Sequence, residues 1–277
     1  LVCRRICAKG VTWYMGDPED KSKTAPKHEV TLPKDYFIGV FELTQAQMFN
    51  ISGWRSSFFS YEGDWAMRPV ENYKLTDFRG ALYPLSPTDA SPLGKLRQVT
   101  GLDFEIPSEA QWEFAGRSGH YGVREWNNGA VCASGDVWNM AKCKLPGRFA
   151  GNSGVGMGQA DSYSPDGYLG ATNGTAIVGS YEPSSWGLYD MHCNVGECCL
   201  DWYVDDLLST NPNWATGAPN CDGQTCADGK TSPAQNSHVV RGSDYGGYPE
   251  VAGSHCRAKD YGAAKKWYGF RLVLPIE

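Results

Sequence analysis

Chemistry in this chain would rest first on its oxygen donors and its thiols. Asp190 and Glu197 bracket Met191-His192-Cys193-Asn194-Val195-Gly196, a compact stretch that can turn the backbone so that carbonyls join two carboxylates around a hard cation. Calcium favours such an irregular, oxygen-rich shell. Ten cysteines, at 3, 7, 132, 143, 193, 198, 199, 221, 226 and 256, form an even set without haem or iron-sulfur spacing. In an oxidising compartment such a set predicts several disulfides, and with them a secreted or cell-surface location. Cys198 and Cys199 are adjacent and cannot share one low-strain bridge, so they face different partners, with Cys256 the preferred distant partner of one of them. Cys221 and Cys226 suit a local disulfide or, less well, zinc. The five histidines, at 28, 120, 192, 238 and 255, never stand two to four residues apart, so no local helical metal motif exists.

These residues need a frame, and the chain announces a loop-rich one. Of 277 residues, 33 are Gly and 16 Pro, while 35 are aromatic. That balance points to irregular backbone anchored by scattered rings rather than to a helix bundle. Residues 11–15 read as a strand, and an alternating segment runs from 29 into 37–41. Thr44 with Gln47, and Ser108 with Gln111, each carry the capping-box spacing at the start of a helix; in the second helix Ala110, Phe114 and Ala115 fall on one buried side. Residues 53–68 read as an aromatic-rich loop. Residues 119–185 are mostly Gly, Asn, Ser and Asp, which requires anchors to be ordered. The densely punctuated segments 186–203 and 238–275 are expected to lie together. Asn173-Gly174-Thr175 fits a glycosylation acceptor. No apolar run approaches a membrane span, and the net charge of -6 offers no field to attract phosphates, which argues against a nucleic-acid partner.

The series Asp35-Tyr36-Phe37-Ile38-Gly39-Val40-Phe41-Glu42-Leu43-Thr44, Arg68-Pro69-Val70-Glu71-Asn72, Ile106-Pro107-Ser108-Glu109-Ala110-Gln111-Trp112-Glu113-Phe114-Ala115, Trp186-Gly187-Leu188-Tyr189-Asp190-Met191 with Asn194-Val195, and Gly269-Phe270-Arg271-Leu272 resembles the successive signatures of the formylglycine-generating enzyme, or sulfatase-modifying factor, family. The resemblance runs in the family's order over nearly the whole chain. It implies an α+β fold with a C-type-lectin-like core, low in regular secondary structure, in a single domain over 1–277.

For function the resemblance divides. The enzymes that generate formylglycine carry two reactive cysteines between an Arg-Gly-Gly-Ser-like motif and the next structural cysteine. Here that stretch, residues 241–255, holds none, and Cys256 matches the structural position. Without the thiol pair there is no soft copper site and no thiol to exchange with a substrate cysteine. The resemblance then points to relatives that bind ligands, such as the variable proteins of diversity-generating retroelements of bacteria and phages. The matching C-terminal surface would offer Asp244, Tyr245, Tyr248, Glu250, His255, Lys259, Asp260, Tyr261, Lys265, Lys266 and Trp267 to a protein or glycan. The alternative is a divergent metal-dependent or oxygen-dependent modifying enzyme. The family's calcium site implies ligands from the Asp190 side chain, the Cys193 and Val195 carbonyls and the Glu197 side chain. Cys193 stands where relatives have glycine and Gly196 where they have tryptophan. A second calcium loop is matched by Asn152, Asp166 and Tyr168.

Overall fold

In the computed structural model, which describes residues 1–17, 25–60, 63–83, 85–119, 147–149, 153, 174–203, 237–247 and 253–276, short strands and helices combine in an α+β arrangement with long irregular connections. β2 (Thr12–Met15) and β3 (His28–Thr31) pair antiparallel with Trp13 opposite Val30. Trp13 and Met15 are buried while Thr12 and Tyr14 face out, as a period of two demands. β4 (Tyr36–Gly39) lies between β1 (Cys3–Ile6) and β9 (Val273–Pro275), antiparallel to both.

Both capping boxes form. At α1 (Gln45–Ser52) the Gln47 N–H donates to Thr44 Oγ1 at 3.2 Å and the Thr44 N–H to Gln47 Oε1 at 2.9 Å. At α4 (Glu109–Arg117) Ser108 and Gln111 repeat the exchange at 3.2 and 2.9 Å. Ala110, Phe114 and Ala115 are all buried, as their spacing predicts. Two helices were not among the expectations. α2 (Leu75–Arg79) is a single short turn, but α3 (Pro92–Thr100) carries plain signals: Ser91 Oγ accepts the Gly94 N–H, Pro92 opens the helix, and Gly101 ends it at φ 66°. No described helix is long and apolar enough to cross a membrane.

The two punctuated C-terminal segments do come together. β5 (Gly196–Trp202), β6 (His238–Arg241), β7 (Arg257–Lys259) and β8 (Tyr268–Gly269) form one sheet in the order β7-β6-β5-β8, with β8 parallel to β5. β5 is buried along its whole length. Because successive strand residues point to opposite faces, Cys199 enters the cluster of Trp112, Met191 and Val239, and Cys198 that of Phe78, Phe270 and Val240. Phe78 and Phe270 stack at 4.5 Å.

This geometry corrects the disulfide expectation. Cys3, Cys7, Cys193, Cys198, Cys199 and Cys256 are all thiols. Cys256 borders the edge strand β7, and β6 separates it from β5. Two strand spacings, about 10 Å, exceed what a disulfide can span. Cys132, Cys143, Cys221 and Cys226 lie outside the described residues.

Candidate ligand-binding site

The site is a bend between β6 and β7, and a buried arginine sets its shape. Gly242 (φ 89°) turns the chain past Trp112; a Cβ there would stand 3.0 Å from the indole and 3.1 Å from the Met191 carbonyl, so only glycine fits. Arg241, fully buried, donates to the carbonyls of Ser254, His255 and Cys256 at 2.6, 2.9 and 3.1 Å. The same guanidinium pairs with Glu113 and, at 3.2 Å, with Glu109. The returning strand is thereby clamped onto α4. Burial alone would raise the Glu113 carboxyl, but Arg117, Arg241 and the Gly16 N–H hold it down at about 2.

Beyond the clamp opens a cavity of about 510 Å³. Asp17, Asp244, His255 and Cys256 stand on its wall with Arg257, and Gly196, Val240, Ala258 and Tyr268 supply apolar surface. Gly196 occupies the position where the sequence resemblance expects tryptophan. A Cβ at 196 would already meet Val240 Cγ1 at 2.7 Å and Tyr268 Cδ1 at 3.2 Å, so this close approach of the strands requires a residue without a side chain. His255 Nε2 lies 3.6 Å from Asp17 Oδ2 and 3.5 Å from Cys256 Sγ. Burial pushes the Cys256 thiol up to about 11, so it is protonated at neutral pH and a poor nucleophile. The Arg257 guanidinium is engaged elsewhere, donating to Glu109 Oε2 at 2.9 Å and lying over the Tyr203 ring.

The expected ligand surface is therefore split. Asp244 and His255 line the cavity. Tyr261 is exposed, and Lys259, Lys265, Lys266 and Trp267 are half-buried; Lys259 lies over Tyr203, Lys265 over Trp267 and Lys266 over Phe58. Two residues leave the surface altogether. Tyr245 is fully buried because Phe59 meets its ring edge-on at 5.4 Å and Trp267 packs against the pair. Asp260 is buried because its Oδ1 accepts the N–H groups of His238 and Gly262 at 2.7 and 3.0 Å. Tyr248 and Glu250 lie outside the described residues, as do Asn152, Asp166 and Tyr168 of the second calcium loop.

The Asp190–Glu197 bracket does turn as its composition suggests. Asp190, Cys193 and Asn194 all have left-handed backbones, at φ 55°, 66° and 68°, which explains why glycine would suit position 193. Asp190 Oδ2 accepts the Gly179 N–H at 2.6 Å, whereas its buried Oδ1 has no hydrogen-bond partner. Burial lifts this carboxyl to about 6. Glu197 is committed inward: Arg271 meets it at 2.6 Å and the Trp112 indole N–H at 2.6 Å. Sequence reasoning missed Glu42, whose carboxylate accepts the Val195 N–H at 3.1 Å and the Asn194 amide at 2.7 Å. Its burial, followed by the charges of Asp190 and Glu197, raises its pKa well above the ordinary carboxylate value. The available signal was an acid in the apolar run Val40-Phe41-Glu42-Leu43. Among the described residues no three His, Cys, Asp or Glu side chains form a metal-holding group, so a cation here would draw on backbone carbonyls. Glu42, Asp190 and Glu197 are thus three buried carboxylates in the field of Arg271, and only Asp190 among them keeps an oxygen without a hydrogen-bond partner.

Known proteins are similar to this chain in sequence and in fold. The sulfatase-modifying factor enzyme 1-like domain matches residues 4–276, and the chain belongs to that family. The chain is 28% identical to the formylglycine-generating enzyme of Thermomonospora curvata over 169 residues, covering 61% of this chain and 48% of that one. It is 23% identical to the serine/threonine-protein kinase Pkn1 of Chlamydia trachomatis over 285 residues, covering all of this chain and 39% of the kinase. The chain thus spans about half or less of these curated relatives. Among solved structures, Treponema denticola variable protein 1 superposes with a TM-score of 0.69 at 20% identity, over 99% of this chain and 95% of that one. PvdO from Pseudomonas aeruginosa superposes with a TM-score of 0.61 at 22% identity, over 98% and 94%. At these identities the likeness is one of fold.

Proposed function

We propose that this chain is a non-catalytic recognition domain, with a C-type-lectin-like core, that binds a protein or glycan ligand in and around the cavity between β6 and β7. The observation that carries the reading is the cavity itself. It opens in the segment that holds the thiol pair in formylglycine-generating relatives, yet no cysteine stands between Arg241 and His255, and the thiol that follows is protonated. A rigid backbone clamped by Arg241, with polar and aromatic groups around an opening of this size, suits binding by preorganisation. The fold likeness to a variable protein supports the same reading. Calcium is proposed as a structural cofactor, held by Asp190 with the Cys193 and Val195 carbonyls and with Glu197 shared with Arg271; the ion would offset the excess negative charge around Glu42.

Glycan and peptide arrays probed with the purified chain test the function. Binding that is lost in Ala258→Trp, which fills the cavity mouth from the exposed face of β7, supports it. Turnover of a cysteine-containing peptide, or binding indifferent to Ala258→Trp, overturns it. A near-copy of the DNA encoding residues 244–268 beside the gene would further mark the surface as diversified. For calcium, adding the ion to chelator-treated protein is expected to raise stability by on the order of 2 kcal/mol at tens of times its dissociation constant. Asp190→Ala should abolish that rise, and a melting temperature unmoved by calcium removes the cofactor from the proposal.

A further inference from the structure

Among the described residues of the cavity wall one charge stands uncompensated, that of Asp244, and it selects a ligand class. Asp17 and Asp244 are the acids of the wall. Arg257 is its permanently charged base, and that charge is compensated by Glu109 in a two-point ion pair behind β7. Asp244 Oδ1 accepts the Gly246 N–H at 2.8 Å, and no Lys, Arg or His among the described residues lies within ion-pair distance of its carboxylate. The contrast with the clamp is sharp, since there Glu109 and Glu113 are each met by guanidinium groups. Beside Asp244 the wall turns apolar: Val240, Ala258 and the ring of Tyr268 can sheathe a methylene stem.

Resting on the reading of this cavity as a recognition site, we infer that it takes an organic cation, a primary ammonium or guanidinium group on an alkyl stem, with Asp244 as its counter-ion. The cation gives Asp244 the charge partner that the described residues do not supply, while its stem replaces water on Val240 and Tyr268. An anion would face the Asp244 carboxylate, and a neutral group would leave Asp244 without compensation. Desolvation holds the Asp244 carboxyl at about 6, so it is ionised at neutral pH and ready to accept such a group. The cation can arrive as a free amine or as a lysine or arginine side chain of a protein, and the volume accommodates either.

Saturation-transfer NMR on the whole chain near pH 8 separates the classes with probes of one shape: n-butylammonium, n-butylguanidinium, n-butanol and butyrate. The two cations are expected to bind at least about tenfold more tightly than butanol, and butyrate not at all. Asp244→Asn should cut cation affinity about tenfold and leave butanol unchanged. Ala258→Trp should remove every signal. Nα-acetyl-lysine methylamide distinguishes the sources: binding about tenfold tighter than butylammonium marks a protein side chain, and equal binding marks a free amine. Butanol or butyrate binding as well as the cations, in a manner lost with Ala258→Trp, sinks the cationic class while the cavity stands as a recognition site. No probe binding, together with array binding indifferent to Ala258→Trp, sinks both. The probe contrast on the unaltered chain decides the class even where a variant does not fold.

Discussion

Two carboxylates on either side of the β6–β7 bend meet opposite fates. Glu113, beneath the bend, is surrounded by Arg117, Arg241 and the Gly16 N–H, which overcome burial and hold it at about 2. Asp244, above it, receives a backbone N–H but, among the described residues, no cation, and burial lifts it to about 6. Among the described residues, the fold thus supplies guanidinium groups to the carboxylates of the frame and none to Asp244. The difference marks which half of the site belongs to structure and which half remains open to a ligand.

The comparison breaks most readily at the clamp. Glu113→Ala leaves Arg241 and Arg117 short of a buried counter-charge and is expected to cost about 3–5 kcal/mol of unfolding free energy in urea titration. A loss below about 1 kcal/mol would show that the clamp is not the frame. The Glu113 contribution is present above about pH 4.5 and is lost as pH falls through about 2, because the folded state depresses this group.

A smaller and opposite effect is expected at Asp244. Its folded pKa is raised, so its ionisation opposes folding as pH climbs from about 3.8 through about 6. Asp244→Asn should therefore match the unaltered chain at about pH 3.5 and exceed it by on the order of 1–2 kcal/mol at about pH 8, after discounting for partial solvent access. Thermal melts at the two pH values give the difference directly; equal gaps at both would dissolve the contrast with Glu113.

The least effect concerns the backbone between them. Ser243 follows Gly242 and is itself left-handed, at φ 63°, a conformation that strains any residue with a Cβ. Ser243→Gly trades that strain against the entropy of a freer unfolded chain, for a net gain of about 0.5 kcal/mol. A loss instead would mean that the serine side chain holds the bend.

Much of the frame was legible because its signals are local. Thr44 with Gln47, and Ser108 with Gln111, write their helix starts within four residues. The alternation around Trp13 fixes a strand by period alone. Ser91, Pro92 and Gly101 carry the same kind of local signal for α3. The site was less legible because its determinants are distant in sequence. Arg241 finds Glu113 across 128 positions, and Asn194 finds Glu42 across 152. Tyr245 and Asp260 have the composition of a contact surface; only the arrival of Phe59 over one, and of the His238 and Gly262 amides on the other, puts them inside. Cys198 and Cys199 face apart by strand geometry, as adjacency requires, but a list of cysteines cannot place Cys256 across an intervening strand.

The placing of β1 and β9 on either side of β4 has a mechanical consequence. Both run antiparallel to β4 and so parallel to each other, with Cys3 at one end of this three-stranded seam and Pro275 at the other. Opposed traction on Cys3 and Pro275 slides the outer strands along the middle one, straining every cross-strand hydrogen bond at once instead of unzipping them in turn. A tether pulled from both sides is resisted by this seam before any load reaches the binding cavity.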